Sequence, residues 1–101
     1  MLKHIRIGRD GKIVDADRVV HTTKKGDDGP DRVQWLAPGG GTAKYQIRFG
    51  YLNGSPFQAG KPHVIDVPHQ PLEVTQAPDR YKYDVLSNGT VVDDPDVIID
   101  S

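Results

Sequence analysis

The chain has 101 residues, with 13 basic and 14 acidic side chains, four histidines and no cysteine. That length suits one domain around one two-layer core. The balanced charge gives no general pull toward nucleic acid or an anionic membrane, and the absence of thiols excludes disulfides, thiolate metal sites and cysteine nucleophiles.

Pro or Gly breaks nearly every window of a dozen residues, and β-branched and aromatic residues cluster between the breaks. Both features predict strands rather than helices. Leu2 to Ile7 reads as a first strand, followed by a turn at Arg9-Asp10-Gly11. Lys12 to Val20 reads as a second strand, irregular around Asp15-Ala16-Asp17. After a polar loop from Lys24 to Pro30, Arg32 to Ala37 forms a strand with Val33 and Trp35 on one face. Pro38 to Gly41 is a loop. From Ala43 to Phe49, Ala43, Tyr45, Ile47 and Phe49 alternate with Lys44, Gln46 and Arg48. That period of two sets one face in a core and the other in water.

Gly50 to Gly60 is a long loop holding Tyr51, Leu52 and Phe57. Shorter strands follow at His63 to Val67 and Leu72 to Thr75, then at Tyr81 to Val85, where Tyr81, Tyr83 and Val85 alternate with Lys82 and Asp84. Asn88-Gly89 is a turn signal, and Asp96 to Asp100 is the last strand, with Val97 and Ile99 inward. These eight short strands predict an all-β, two-sheet Greek-key sandwich filling residues 1–101 as a single domain.

Several of these segments resemble the cupredoxin family. Lys25-Gly26-Asp27 followed by Asp31-Arg32-Val33-Gln34-Trp35 resembles its Gly-Asp pair leading into a strand that ends in Trp, here with an insertion between the two. Ile5 to His21 matches the length of its first hairpin. Tyr81-Lys82-Tyr83-Asp84-Val85 resembles its aromatic-x-aromatic-x-Cys strand, and Val97-Ile98-Ile99 its closing strand. The resemblance implies a cupredoxin-like sandwich, with an immunoglobulin-like sandwich as the competing topology. It does not bring copper with it. A blue-copper site needs two His, a Cys and usually an axial Met. Here Val85 stands at the Cys position, no His follows it, Met1 is the only Met, and Lys44 and Tyr45 occupy the region of the first His ligand. No cofactor is expected.

Other constellations are set against plainer readings. His63 and His69 with Asp66 between them offer two imidazoles and a carboxylate to Zn²⁺ or Cu²⁺; the alternative is a pair of surface histidines. Asp93, Asp94 and Asp96 offer oxygen ligands without an EF-hand spacing, or solvate a turn at Asp94-Pro95. Gly39-Gly40-Gly41 lacks the Lys-Ser/Thr and the helix of a phosphate loop. Ser55, Ser87 and Ser101 provide hydroxyls but no nucleophile elbow.

Two surfaces remain. Arg32, Lys44, Arg48, Arg80 and Lys82 lie opposite the inward positions of their strands, and form one basic stripe if those strands are neighbours; the plainer reading is a solvated face whose Lys and Arg blunt sheet edges. Tyr51, Leu52 and Phe57 give the long loop apolar anchors, of the kind partner-binding loops use; the alternative is that Phe57 folds back to plug one end of the sandwich. The expectation is a soluble, cytoplasmic, non-enzymatic protein-interaction or regulatory module, an accessory subunit of bacterial type with a protein partner and neither nucleic acid nor membrane. A small-ligand or metal-binding protein using loop His and Asp residues is the alternative, and a small hydrolase the third.

Overall fold

The computed structural model describes residues 1–60 and 62–101. Alternation sets the pattern of its strands. In β4 (Tyr45–Phe49), Tyr45, Ile47 and Phe49 are buried, while Gln46 and Arg48 between them face outward. In β10 (Asp96–Asp100), Val97 and Ile99 are buried in the same way. The remaining strands are β1 (Leu2–Arg6), β2 (Val19–Thr23), β3 (Arg32–Leu36), β5 (His63–Val67), β6 (Leu72–Glu73), β7 (Asp79–Lys82), β8 (Asp84–Ser87) and β9 (Thr90–Asp93). No helix among the described residues is long and apolar enough to cross a membrane.

The protein is a small all-β sandwich. Hydrogen bonding divides its strands into three sheets rather than the expected two, in the orders β1-β3-β6, β2-β10-β7 and β5-β4-β8-β9. Two pairs are parallel, β1 with β3 and β2 with β10. The run Asp79–Ser87 takes part in two sheets. It pairs with β10 up to Lys82 and with β4 from Asp84, and the Tyr83 N–H donates to Pro95 O between the two.

Three expectations need correction. Lys12 to Val20 is not one strand: Ile13 makes a single bridge to Ile7, Asp15–Asp17 forms a 3-10 turn, and the strand begins only at Val19. Arg6 supplies a reason, since its backbone N–H and its Nε both donate to Asp17 Oδ2 at 2.8 Å and fold the segment back on β1. Leu72 to Thr75 pairs only at Leu72 and Glu73. Beyond them, the N–H groups of Thr75 and Gln76 turn to Pro56 O. Finally, β9 was not expected. It is the return strand of a two-residue hairpin in which Asn88 (φ 49°) and Gly89 (φ 84°) both take left-handed backbone, the geometry that favours Asn-Gly.

The inward side chains of the three sheets meet in one core. Trp35, Tyr83 and Phe49 are its largest fully buried members. Trp35 packs edge-on against Tyr83 (centroids 5.3 Å apart), Phe57 (5.9 Å) and Phe49 (6.1 Å). Its indole N–H donates to the Tyr83 hydroxyl at 3.2 Å, so the one polar atom of the ring is satisfied without water. Burial pushes the Tyr83 phenol well above its ordinary value.

Trp35→Ala is expected to cost about 3–5 kcal/mol in a urea unfolding curve. Tyr83→Phe keeps the ring but strands the buried indole N–H, and is expected to cost about 1–3 kcal/mol. A Trp35→Ala protein as stable as the parent would mean that Trp35 is not central to the core.

Candidate functional site

The loop between β4 and β5 reads as two halves. In the second half the chain turns inward. Ser55 and Pro56 are buried. Phe57 packs edge-on against Trp35, Phe49 and His63. The Phe57 N–H donates to Ser55 Oγ at 2.9 Å, and Thr75 Oγ1 donates to Phe57 O at 2.9 Å. Phe57 therefore plugs one end of the core, while Tyr51 and Leu52 stay exposed.

In the first half, Gly54 N–H closes a turn on Tyr51 O. Gly54 has φ 74°, a left-handed backbone that calls for glycine. The Tyr51 hydroxyl donates to Asp84 Oδ1 at 2.8 Å, and Arg48 Nη2 donates to Asp84 Oδ2 at 2.8 Å. That carboxylate raises the Tyr51 pKa above its ordinary value. Asn53 Nδ2 donates to Arg80 O at 2.8 Å, laying the loop along β7. The tip is fixed at three points, yet Leu52 is 87% exposed and Tyr51 39%. Between tip and strand lies an open groove of about 460 Å³, lined by Tyr51, Leu52, Asn53, Asp79, Arg80 and Lys82.

The structure thus brings Tyr51, Leu52, Arg80 and Lys82 to one groove, with Arg48 bound to its wall through Asp84. The other expected residues go elsewhere. Arg32 lies on β3, in register with Glu73. Lys44 precedes β4, where its N–H donates to Asn88 Oδ1 at 2.9 Å. Arg32, Arg48 and the Arg80–Lys82 pair belong to three different sheets, so a single-sheet basic stripe does not form. Strand alternation sets the side to which a cation points; topology sets its neighbours. Three of these cations also face carboxylates: Arg48 with Asp84 at 2.8 Å, Arg80 with Asp96 at 2.8 Å, and Lys82 with Asp94 at 3.5 Å.

The acidic run is consumed by these contacts. Asp93 holds Arg18 at 2.6 Å and accepts the Ile13 N–H at 2.9 Å, which ties β9 to the segment between β1 and β2. These contacts hold the Asp93 carboxyl below its usual range against the opposing effect of burial. Asp96 Oδ1 is the one buried side-chain polar atom without a partner among the described residues.

His63, Asp66 and His69 do not converge either. His63 Nδ1 lies 2.7 Å from Ser55 Oγ, and Asp66 Oδ1 accepts Gln46 Nε2 at 2.8 Å. Among the described residues, no group of three His, Cys, Asp or Glu side chains is placed to hold a metal ion. Ser55 is 1% exposed and its Oγ already accepts an amide, so it presents no nucleophile to solvent.

His69 has a different role, which spacing did not signal. The Trp35 N–H donates to its Nε2 at 3.1 Å, so Nδ1 carries the proton and donates to Gln70 O at 2.6 Å. Gln34 Nε2 donates to His69 O at 2.9 Å. The residue continues the edge of β3 where β6 stops.

Burial lowers the proton affinity of both His69 and His63 below the ordinary value of 6.5. As pH falls through 6.5 the unfolded chain takes up protons that the folded chain refuses. The stabilisation is complete above 6.5 and is lost as pH falls toward the folded-state values. Denaturant midpoints are expected to drop between pH 7.5 and 5, and the drop should shrink in His69→Gln. An unchanged pH profile in that variant would remove the role given to the imidazole.

No protein-family model, no curated protein and no solved structure matches the chain.

Proposed function

We propose that the protein is a non-enzymatic interaction module that presents Tyr51 and Leu52 to a protein partner, with Arg80 and Lys82 at the rim. The observation that carries this reading is the rigid display of Leu52. Two side-chain hydrogen bonds and a closed turn order the loop tip, yet Leu52 stays almost wholly in water. Ordering a loop costs conformational entropy, and a pre-ordered apolar anchor lowers the cost of binding. An aromatic residue beside it, with paired cations around, has the make-up of an interface centre and its polar rim.

The scaffold reading is cupredoxin-like and metal-free. An immunoglobulin sandwich is built from two antiparallel sheets, and the parallel β1/β3 and β2/β10 pairs favour the other topology. Val85, at the position resembling the copper-ligating Cys, is fully buried in the apolar core.

Leu52→Asp is expected to abolish capture of the partner by the tagged protein from its native cells. It should leave the unfolding free energy within about 0.5 kcal/mol of the parent, as for other exposed positions. Equal capture by the variant and the parent would refute the loop as the binding surface.

A further inference from the structure

The edges of the sheets are not equally protected. Loop residue Asn53 bonds to Arg80 O on β7, and His69 bonds to the Trp35 N–H on β3. On β1, the Arg6 N–H is taken by Asp17 and Arg6 O by the Val14 N–H. On β2, the Thr23 N–H is taken by the Asp31 carboxylate and Thr23 O by the Asp31 N–H. β9 is held through Asp93 to the Ile13 N–H. Three outer edges, those of β5, β6 and β9, have no backbone partner among the described residues. β6 has only two residues and β9 carries a register shift against β8, so β5, paired with β4 alone, is the longest regular open edge.

An open edge offers a row of N–H and C=O groups that an extended chain can pair with, and proteins usually blunt it with Lys, Pro or a bulge. The sequence of β5, His-Val-Ile-Asp-Val, has none of these within the strand. Pro62 and Pro68 stand just outside it and limit the pairing to these five residues. On its outer face, Val64 is 48% exposed. Asp66 is exposed too, and its carboxylate is met only by the neutral Gln46 amide, unlike those of Asp84, Asp93, Asp94 and Asp96.

We propose that the outer edge of β5 binds an extended segment of a protein partner as a fifth, antiparallel strand, with a cationic residue opposite Asp66 and an apolar residue opposite Val64. Antiparallel pairing continues the order of this sheet, in which every existing pair is antiparallel. The backbone rows supply the affinity, and the alternate outward side chains supply the choice of partner. The resulting motif, read from N- to C-terminus, is cation-x-apolar.

A second copy of the chain fits less well. Antiparallel self-pairing about Ile65 sets Val64 beside Asp66 of the other copy, twice. Pairing about Asp66 opposes two carboxylates, and pairing about Val64 brings Pro62, which has no N–H, into the ladder. The edge is separate from the Tyr51–Leu52 groove, so each surface stands or falls alone.

The test is a titration of the whole ¹⁵N-labelled protein with the blocked peptide Thr-Lys-Val-Val-Thr, followed by amide shifts. In the antiparallel register its Lys meets Asp66 and its second Val meets Val64. Shifts should centre on β5, and replacing Lys by Glu should weaken binding about fivefold, the scale of exchanging an opposite-charge cross-strand pair for a like-charge one. Asp66→Lys, at an exposed site with one side-chain hydrogen bond, should reverse that preference. Leu52→Asp should leave all of it unchanged. Absence of β5 shifts at millimolar peptide, or equal binding of the Lys and Glu peptides, would overturn the proposal. So would a dimer in sedimentation that the peptide dissociates, which would give the edge to a second copy.

Discussion

The position of every candidate surface depends on the aromatic cluster around Trp35. Its ring meets Phe49, Phe57 and Tyr83 in edge-on geometry, and His69 lies 5.8 Å away on its rim. Edge-on pairs add to the burial of area because the positive rim of one ring meets the negative face of the next. Phe57 is the residue that commits the β4–β5 loop: once it enters the cluster, the chain on either side of it has little freedom. Tyr51 and Leu52 are displayed outward because Phe57 is drawn inward a few residues later. The same cluster receives His69, whose ring leaves the segment after β5 folded over β3.

Charge is managed locally in this molecule. The net formal charge is −1, and several of the cations are matched to carboxylates across neighbouring elements: Arg6 to Asp17, Arg18 to Asp93, Arg48 to Asp84, and Arg80 to Asp96. Exposed pairs of this kind contribute little to stability. Their value here is geometric. The Arg18–Asp93 contact places the 3-10 turn against β9, and Asp84 gathers Arg48 and the Tyr51 hydroxyl onto one carboxylate. Asp66 stands outside this pattern.

Much of the fold was legible in the residues. The alternation from Ala43 to Phe49, the inward Val33 and Trp35, and the inward Val97 and Ile99 all follow from a period of two and from nothing else. Asn88-Gly89 was legible as a turn, and it carried more than was read from it: a two-residue hairpin requires a return strand, and Thr90-Val91-Val92 has the β-branched make-up of one. What alternation cannot show is which strands lie side by side. Arg32, Arg48, Arg80 and Lys82 alternate with the buried positions of their strands as expected and still fall in three sheets, because sheet order depends on long-range packing. Asp84 and Leu86 are buried along with Tyr83 and Val85, so the run from Asp79 to Ser87 departs from simple alternation as it passes between sheets. The Tyr51–Leu52 tip was legible as an apolar loop. The inward turn of Phe57 was legible as the alternative to a partner-binding anchor, and its packing against Trp35 and Phe49 decides for it.

That passage of one strand between two sheets has a mechanical consequence. A sheet that shares no strand with its neighbour can fray on its own. Here the backbone of Asp79–Ser87 is hydrogen-bonded to β10 on one stretch and to β4 on the next, and Tyr83 at the junction is anchored in the core. Pulling either stretch out of its ladder drags the junction with it. Opening of the β2-β10-β7 sheet and of the β5-β4-β8-β9 sheet is therefore coupled through this shared run.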